Sequence, residues 1–545
     1  MLSVIVRYED KKYTFPKGTS LLDISKEFQS NFKDKIIVGK IDGSITELST
    51  KVFNNCKVDF YDKNSSIGNK VYESGLIFLL IKSFKDLYDE NIIIDHSLDT
   101  GIYIKTNKKI NDDILLKVKD RINELISLDL SIDKLLINRK EAIKYYEKNK
   151  ENDKVRMLKY NTNTNINLYK LENDYDYFFN NLPVSTGYIK EFKLTLINEN
   201  SFVITYPSIY TSKLNYKHHE KLFNEFNDYT SWLKKIGINS ICDLNEKVTN
   251  GIINDYVFLA ETYQNNNLLK IAKEISNNKN IKIVLISGPS SSGKTTTSKK
   301  LQLFLKGFGI NPKTLSIDDY FVDRENTPKK KDGSLDFESL DAINLDLFNR
   351  DLTKLLNGEK VRIPTYNFVL GKGEYINEAT CLEENEILII EGLHALNNEL
   401  TSSIEKKYKY KIYLSPLTVL NLDNHNRIKT SDVRLLRRIV RDNRTRGYNA
   451  SSVLKAWASV REGEEKNVFP YQDEADVIFN TSLLYEIGIL KIYAEPLLYL
   501  VDEKDDCYKD AVRLLNLLKI VLPIPSDCIP KDSIIREFIG DGYFI

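Results

Sequence analysis

The chain has 545 residues and a mass of 63.1 kDa, too long for one hydrophobic core, so roughly two to four domains are expected. Its 78 Lys and Arg balance 77 Asp and Glu, which excludes a chain-wide attraction to nucleic acid or an anionic membrane and leaves any basic site local. Five scattered cysteines, with no C-x-x-C pair and no Cys/His cluster, argue against disulfides and metal ligation, and the apolar run 76–81 is far short of the about 18 residues that span a bilayer, so a cytoplasmic protein with no membrane partner is expected.

From the amino end, SVIVRY alternates, PKGTS turns, and SLLDISKEF opens at a Ser/Thr cap with Leu21, Leu22, Ile24 and Phe28 on one face. Residues 1–62 therefore read as a small α+β module. That order, with FPKGTSLLDI (15–24), resembles the TGS domain, a β-grasp module at the amino end of threonyl-tRNA synthetases. Residues 63–205 resemble the same family's second, editing-type α+β domain through SGLIFLLIKSFKDLY (74–88) and PVSTGYIKEFKL (183–194), the latter placed like a later strand. Where that family carries H-x-x-x-H this chain has Ser74 and Phe78, and 183–194 holds no Cys or His. No ligand set for a metal and no base for ester hydrolysis results, and a retired editing fold used for binding, assembly or packing is expected. His96, His218 and His219 read as structural or solvated residues, and 206–275 as a mostly helical connector.

KIVLI (282–286), the loop to Thr295, and TTTSKKLQLFLKGFG make strand, loop and helix. The loop fits G-x-x-x-x-G-K-[ST] with Gly288, Gly293, Lys294 and Thr295, and the span Gly288, Pro289, Ser290, Ser291, Ser292, Gly293, Lys294, Thr295 and Thr296 is assigned to ATP. Glycines let backbone N–H groups face phosphate oxygens, the helix amino end adds positive potential, Lys294 neutralises β/γ oxygens, and the Thr295 hydroxyl suits Mg²⁺.

Two later strands end in acids at what would be the ligand edge of a parallel sheet. KTLSIDDYF (313–321) ends in Asp318 and Asp319, and EILIIEG (386–392) ends in Glu391. One carboxylate there suits a base for an attacking hydroxyl, another a metal, and Asp319 and Glu391 are assigned to Mg²⁺. RLLRRIVRDNRTRGY (434–448) puts Arg434, Arg437, Arg438 and Arg441 on one helical face, a candidate lid over the transferring phosphoryl group.

The ordered set of phosphate loop, SIDDYF (316–321), DFESLDAI (336–343), VRIPTYNF (361–368), IIEGLHAL (389–396), Arg-rich lid and ADVIFN (475–480) resembles the uridine kinase and phosphoribulokinase family over about 280–500. The resemblance implies a nucleoside-monophosphate-kinase-like P-loop sheet with helices on both faces and ATP–Mg as donor. It puts Asp318 in the place of the catalytic base, Asp341 and Tyr366 beside the acceptor, and Arg434, Arg437 and Arg441 among substrate and lid contacts. It also exposes departures. Asn367 replaces the acid of the family's Y-D-F, Gly371 stands in the neighbourhood where the family carries its base-reading His, and the lid's R-G-R-D reads RGYN (446–449).

The expected architecture is 1–62 β-grasp, 63–205 synthetase-like α+β, 206–275 connector, 276–500 P-loop domain, and 501–545 a carboxy-terminal helix and tail that either covers the core or pairs subunits in a homo-oligomer. The expected activity is ATP-dependent phosphorylation of a hydroxyl on a nucleoside. Another polyol or a sugar phosphate, or a nucleotide-dependent RNA-binding or regulatory role, stands as the alternative.

Overall fold

The computed structural model describes residues 3–544 apart from 10, 99, 331, 332, 334, 368 and 369, so Phe368 of the 361–368 motif lies outside the described residues. Ser3–Tyr8 and Cys56–Asp62 alternate buried and less buried side chains, as a sheet covered on one face requires. They pair in parallel, flanked by antiparallel Lys11–Pro16 on one side and by Ile36–Ile41 and Ser44–Thr46 on the other. Helix Leu21–Lys26 lays Leu21 and Ile24 on this sheet, and the Ser20 hydroxyl caps it by accepting from the Asp23 amide at 3.1 Å. This is a β-grasp arrangement.

Helix Ser66–Tyr88 is buried along most of its length because it packs both on Ile36–Ile41 and on helix Asp112–Ser127. Its Ser74 hydroxyl donates to the Lys70 carbonyl at 3.0 Å, and Phe78 meets Phe178 edge-on at 5.3 Å, so the two positions fill core. A four-stranded antiparallel sheet follows, ordered Lys193–Asn198, Ser201–Thr205, Gly101–Lys105, Ile93–Leu98. Of the segment 183–194, only Lys193 and Leu194 join a strand. Pro183 packs on Gly75, and the Gly187 amide donates to Asp129 at 3.0 Å, which turns the chain through Thr186–Tyr188 instead.

In the rear half five parallel strands stand in the order β2-β3-β1-β4-β5: β1 Ile283–Ser287, β2 Asn311–Ser316, β3 Glu386–Glu391, β4 Lys409–Ser415 and β5 Val477–Asn480. β1 is buried throughout, as a central parallel strand covered on both faces must be. Helix α1 (Lys294–Gly307) follows β1, α2 (Thr430–Arg446) and α3 (Ala450–Asn467) follow β4, and α4 (Glu486–Tyr499) and α5 (Tyr508–Ile520) follow β5. Ala511, Leu514, Leu515, Leu517 and Leu518 of α5 are all buried, and α5 packs on α4. Residues 501–544 therefore join the core that holds Ile286 of β1 and Leu301 of α1. Among the described residues no helix is long and apolar enough to cross a membrane.

The two halves are riveted by the loop between β4 and α2. Asn424 accepts from the Ile94 amide at 2.7 Å, and the Asn421 side chain donates to the Ile94 and Asp95 carbonyls at 3.0 and 3.2 Å. Beneath it Lys154, fully buried, pairs with Asp176 at 2.7 Å and Asp423 at 3.0 Å, and His425 meets Asp176 at 2.6 Å. Glu73 holds both Arg427 and Lys429 at 3.0 Å. Removing one member of such a cluster strands the others. Lys154→Met is expected to destabilise the first unfolding transition by about 3–5 kcal/mol in urea titrations followed by circular dichroism.

Candidate functional site at the phosphate loop

The turn from β1 into α1 uses two left-handed residues, Ser291 at φ 59° and Gly293 at φ 87°; for Ser291 this is a conformation that usually marks a functional constraint. Gly288 must lack a side chain, since a Cβ there would lie 2.4 Å from the Leu414 carbonyl. No side chain caps α1 at Gly293. The hydroxyls of Ser291, Ser292, Thr296 and Thr297 are buried without a hydrogen-bond partner, and Thr295 is exposed beside them. Lys294 turns back on its own loop, donating to the Gly288 and Pro289 carbonyls at 2.9 and 3.2 Å. A donor-rich helix end of this kind seeks anionic oxygen.

Two carboxylates answer it. Glu464 of α3 accepts from the Ser290 amide at 2.8 Å, and Glu537 of the carboxy-terminal tail accepts from the Thr296 amide at 3.0 Å. The tail is fastened around that contact. Ile534 abuts Gly293, Arg444 donates to the Glu537 and Phe538 carbonyls at 3.1 and 3.2 Å, and Lys300 pairs with Asp532 at 3.1 Å. Two amides of the loop expected to hold phosphate are thus already bonded to protein carboxylates.

Asp318 and Asp319 lie in the turn Ile317–Tyr320 just past β2, and Glu391 closes β3. Burial lifts all three carboxyls, Glu391 to about 7 with Asp318 as the next cause, while Lys294 pulls Glu391 and Asp318 back down. Asp318 nonetheless keeps solvent access through the crevice. Glu338, from the 336–343 segment, is also raised to about 7, by burial and by Glu464, and feels Arg438, Lys294 and Asp318. Lys294, Asp318 and Glu391 therefore act on one another electrostatically at the carboxyl edge of the sheet, in a neighbourhood crowded with negative charge. Asp319 accepts from the Tyr366 amide at 3.3 Å. Among the described residues no group of three or more His, Cys, Asp or Glu is arranged to hold a metal.

The arginine stripe divides. Arg434 and Arg437 are 2% and 0% exposed, paired with Glu464 and Glu486, and donate to the Ser290 and Ser291 carbonyls. Expected as substrate and lid contacts, they instead brace the phosphate loop from behind, because α2 is packed on several sides and its apolar Leu435, Ile439 and Val440 are buried as well. Arg438 donates to the Ser290 hydroxyl at 3.0 Å, Arg441 pairs with Asp442 at 2.7 Å, and Arg446 acts electrostatically on Asp318. Asp341 sits exposed in a short turn, its amide bonded to the Ser339 hydroxyl at 3.3 Å. Tyr366 is buried, its ring 5.5 Å from that of Phe321, near a cavity of about 310 Å³ lined by Asp319, Phe321, Asp323 and Tyr375. Gly371 has φ 71°, and a Cβ there would lie 2.7 Å from Arg324, so backbone shape fixes the glycine. Glu464 and Glu537 were not marked by sequence, since no motif places distant α3 or tail carboxylates at the loop; Arg446 stood in the arginine-rich lid, and Glu338 stood in the 336–343 motif without a role of its own.

Residues 283–484 match the Phosphoribulokinase / Uridine kinase family model. They form a phosphoribulokinase/uridine kinase domain. This kinase domain is similar to a uridine kinase of Staphylococcus haemolyticus, 28% identical over 200 residues, which covers 36% of this chain and 87% of that one. The amino-terminal region is similar to a threonine–tRNA ligase of Sulfurihydrogenibium, 28% identical over 178 residues, covering 31% of this chain but only 28% of the ligase. Among solved structures, a fructose transport system kinase described as putative, from Silicibacter, is 18% identical with a TM-score of 0.29, covering 39% of this chain and 98% of that one.

Two outcomes follow for the kinase domain. Glu537→Ala frees the Thr296 amide and is expected to tighten ADP binding about tenfold by calorimetry, the scale of one charged hydrogen bond. Glu391 keeps its proton more tightly folded than at its ordinary 4.5, so its ionisation erodes stability as pH climbs from 4.5 to about 7. Glu391→Gln should accordingly raise the melting temperature at pH 8 and leave it unchanged at pH 4.

Proposed function

We propose that the chain is an ATP-dependent kinase that phosphorylates a hydroxyl of a nucleoside or a related sugar-bearing compound. The observation that supports this reading is the electrostatic pull of Lys294 on Asp318, beside a helix end whose buried hydroxyls and amides seek phosphate oxygen. The residues present fit a triphosphate: the amides of 288–296 and Lys294 would hold it, and Glu537 would give up its place on the Thr296 amide.

In this reading Asp318 takes the proton of the acceptor hydroxyl. The acceptor oxygen forms its bond to the γ-phosphorus as the bridging bond to ADP breaks, and Lys294, Arg438, Arg441 and Arg446 balance the spreading charge. Mg²⁺, when bound, would neutralise the β- and γ-oxygens, held by the Thr295 hydroxyl and by Glu391 or Asp319 together with the nucleotide itself. The raised carboxyls of Asp318, Asp319 and Glu391 suit such a cation, which would relieve their crowding. Arg434 and Arg437 act as positioning residues through the loop carbonyls. Asp341 and Tyr366 are proposed acceptor contacts by the family resemblance, and the Phe321 and Tyr366 rings give that side an aromatic wall. Because Gly371 offers no imidazole to read a pyrimidine, selectivity for uridine over other nucleosides, polyols or sugar phosphates is expected to be weak.

The test is ADP release from ATP–Mg with a panel of nucleosides, polyols and sugar phosphates. One acceptor should stimulate release, and Asp318→Asn should lower that stimulated rate about 10²- to 10⁴-fold while ATP still binds. Stimulated turnover that survives Asp318→Asn would remove the proposed base.

A further inference from the structure

A second cavity, of about 390 Å³, lies where the front half, the connector and the kinase domain meet. Lys294, Thr295, Asp318 and Glu391 do not line it, so it is separate from the crevice described above; it touches the phosphate loop only from outside, at Pro289. Its volume is at the small end of the range for ligand pockets.

Three independent features give it a chemical character. The amino end of the 17-residue helix α2 opens on it through Thr430 and Ser431, and no side chain caps that helix. Five cations line it, Lys217, Arg427, Lys429, Arg434 and Arg461, against one lining carboxylate, Glu465. Behind the wall stand Glu73, shared by Arg427 and Lys429; Asp473, paired with Lys217; and Glu464, shared by Arg434 and Arg461. Asp95, beside His96, is answered by Lys105, and Asp432, in the first turn of α2, by Arg513, so the wall keeps one cation more than its acids before the helix end is counted. The third feature is His96, 4% exposed and stacked on Phe226 at 3.7 Å. His96 lines this cavity, its Nδ1 lies 3.5 Å from Asp95, and neither ring nitrogen has a hydrogen-bond partner. With Nδ1–H turned to Asp95, Nε2 is an acceptor that asks for an O–H or N–H donor. A buried polar atom left without a partner is costly, which points to a ligand that supplies one.

We propose that this junction cavity binds a small phosphate monoester carrying free hydroxyls, with the phosphate at the amino end of α2 beside Lys429 and a hydroxyl on His96. The site reaches the kinase domain directly. Arg434, in its wall, donates to the Ser290 carbonyl at 3.0 Å, so an occupant would bear on the phosphate loop. This proposal does not depend on which acceptor the kinase domain uses.

Calorimetric titration of the full chain, with ADP–Mg present, tests it using ribose 5-phosphate, glycerol 3-phosphate and AMP, with ribose as the neutral control. At least one monoester should bind saturably, and ribose should not. Ser431→Glu places a carboxylate at the helix end, where acids are well tolerated, and is expected to weaken that binding at least about tenfold. Lys294→Ala, which disarms the phosphate loop, should leave it unchanged. No saturable binding up to about 10 mM for all three monoesters overturns the proposal. So does binding that Lys294→Ala abolishes and Ser431→Glu spares.

Discussion

The amino end of α1 needs an anion. Backbone donors, an uncapped Gly293, buried hydroxyls and Lys294 converge there, and burial denies them water as an easy substitute. In this structure carboxylates meet part of the demand, Glu464 at the Ser290 amide and Glu537 at the Thr296 amide. Much of the rear half is arranged around that fact. α3 supplies one acid, the tail folds back to supply the other, and Arg434 and Arg437 fix the loop carbonyls, Arg434 from its ion pair with Glu464. In the proposed function a nucleotide entering the loop would exchange phosphate for protein carboxylate at the same donors, so the resting contacts would set how tightly it is held.

The front half fills positions 74 and 78 with core-packing Ser74 and Phe78, and it is bound firmly to the kinase domain. Lys154, Asp176, Asp423 and His425 form a buried ion cluster across the junction, and the loop that carries Asp423 and His425 leads straight into α2. The same helix carries Arg434 and Arg438 to the phosphate loop. A short path of ion pairs, one loop and hydrogen bonds therefore runs from the synthetase-like fold to the phosphate loop.

Local patterns told most of the fold. Alternation in SVIVRY, the apolar run 283–287 and the G-x-x-x-x-G-K-T loop each depend on near neighbours, and each became the element its pattern implies. Where the reading went astray, tertiary packing had the final word. Helical spacing put Arg434, Arg437, Arg438 and Arg441 on one basic face, but spacing does not say which face is covered, and Glu464 and Glu486 neutralise two of them inside the core. The segment 183–194 turned because Gly187 packs against Asp129, a contact 58 residues away in sequence. Glu537 lies 241 residues from Thr296, and no local signal announces such a pair.

The most direct measurement is a crystal structure of the full chain with ADP–Mg. The account predicts the diphosphate against Lys294 and the Thr296 amide, with the Glu537 carboxylate displaced and Asp318 facing the β-phosphate end. Nucleotide bound elsewhere, or bound while Glu537 still accepts from the Thr296 amide, would contradict it.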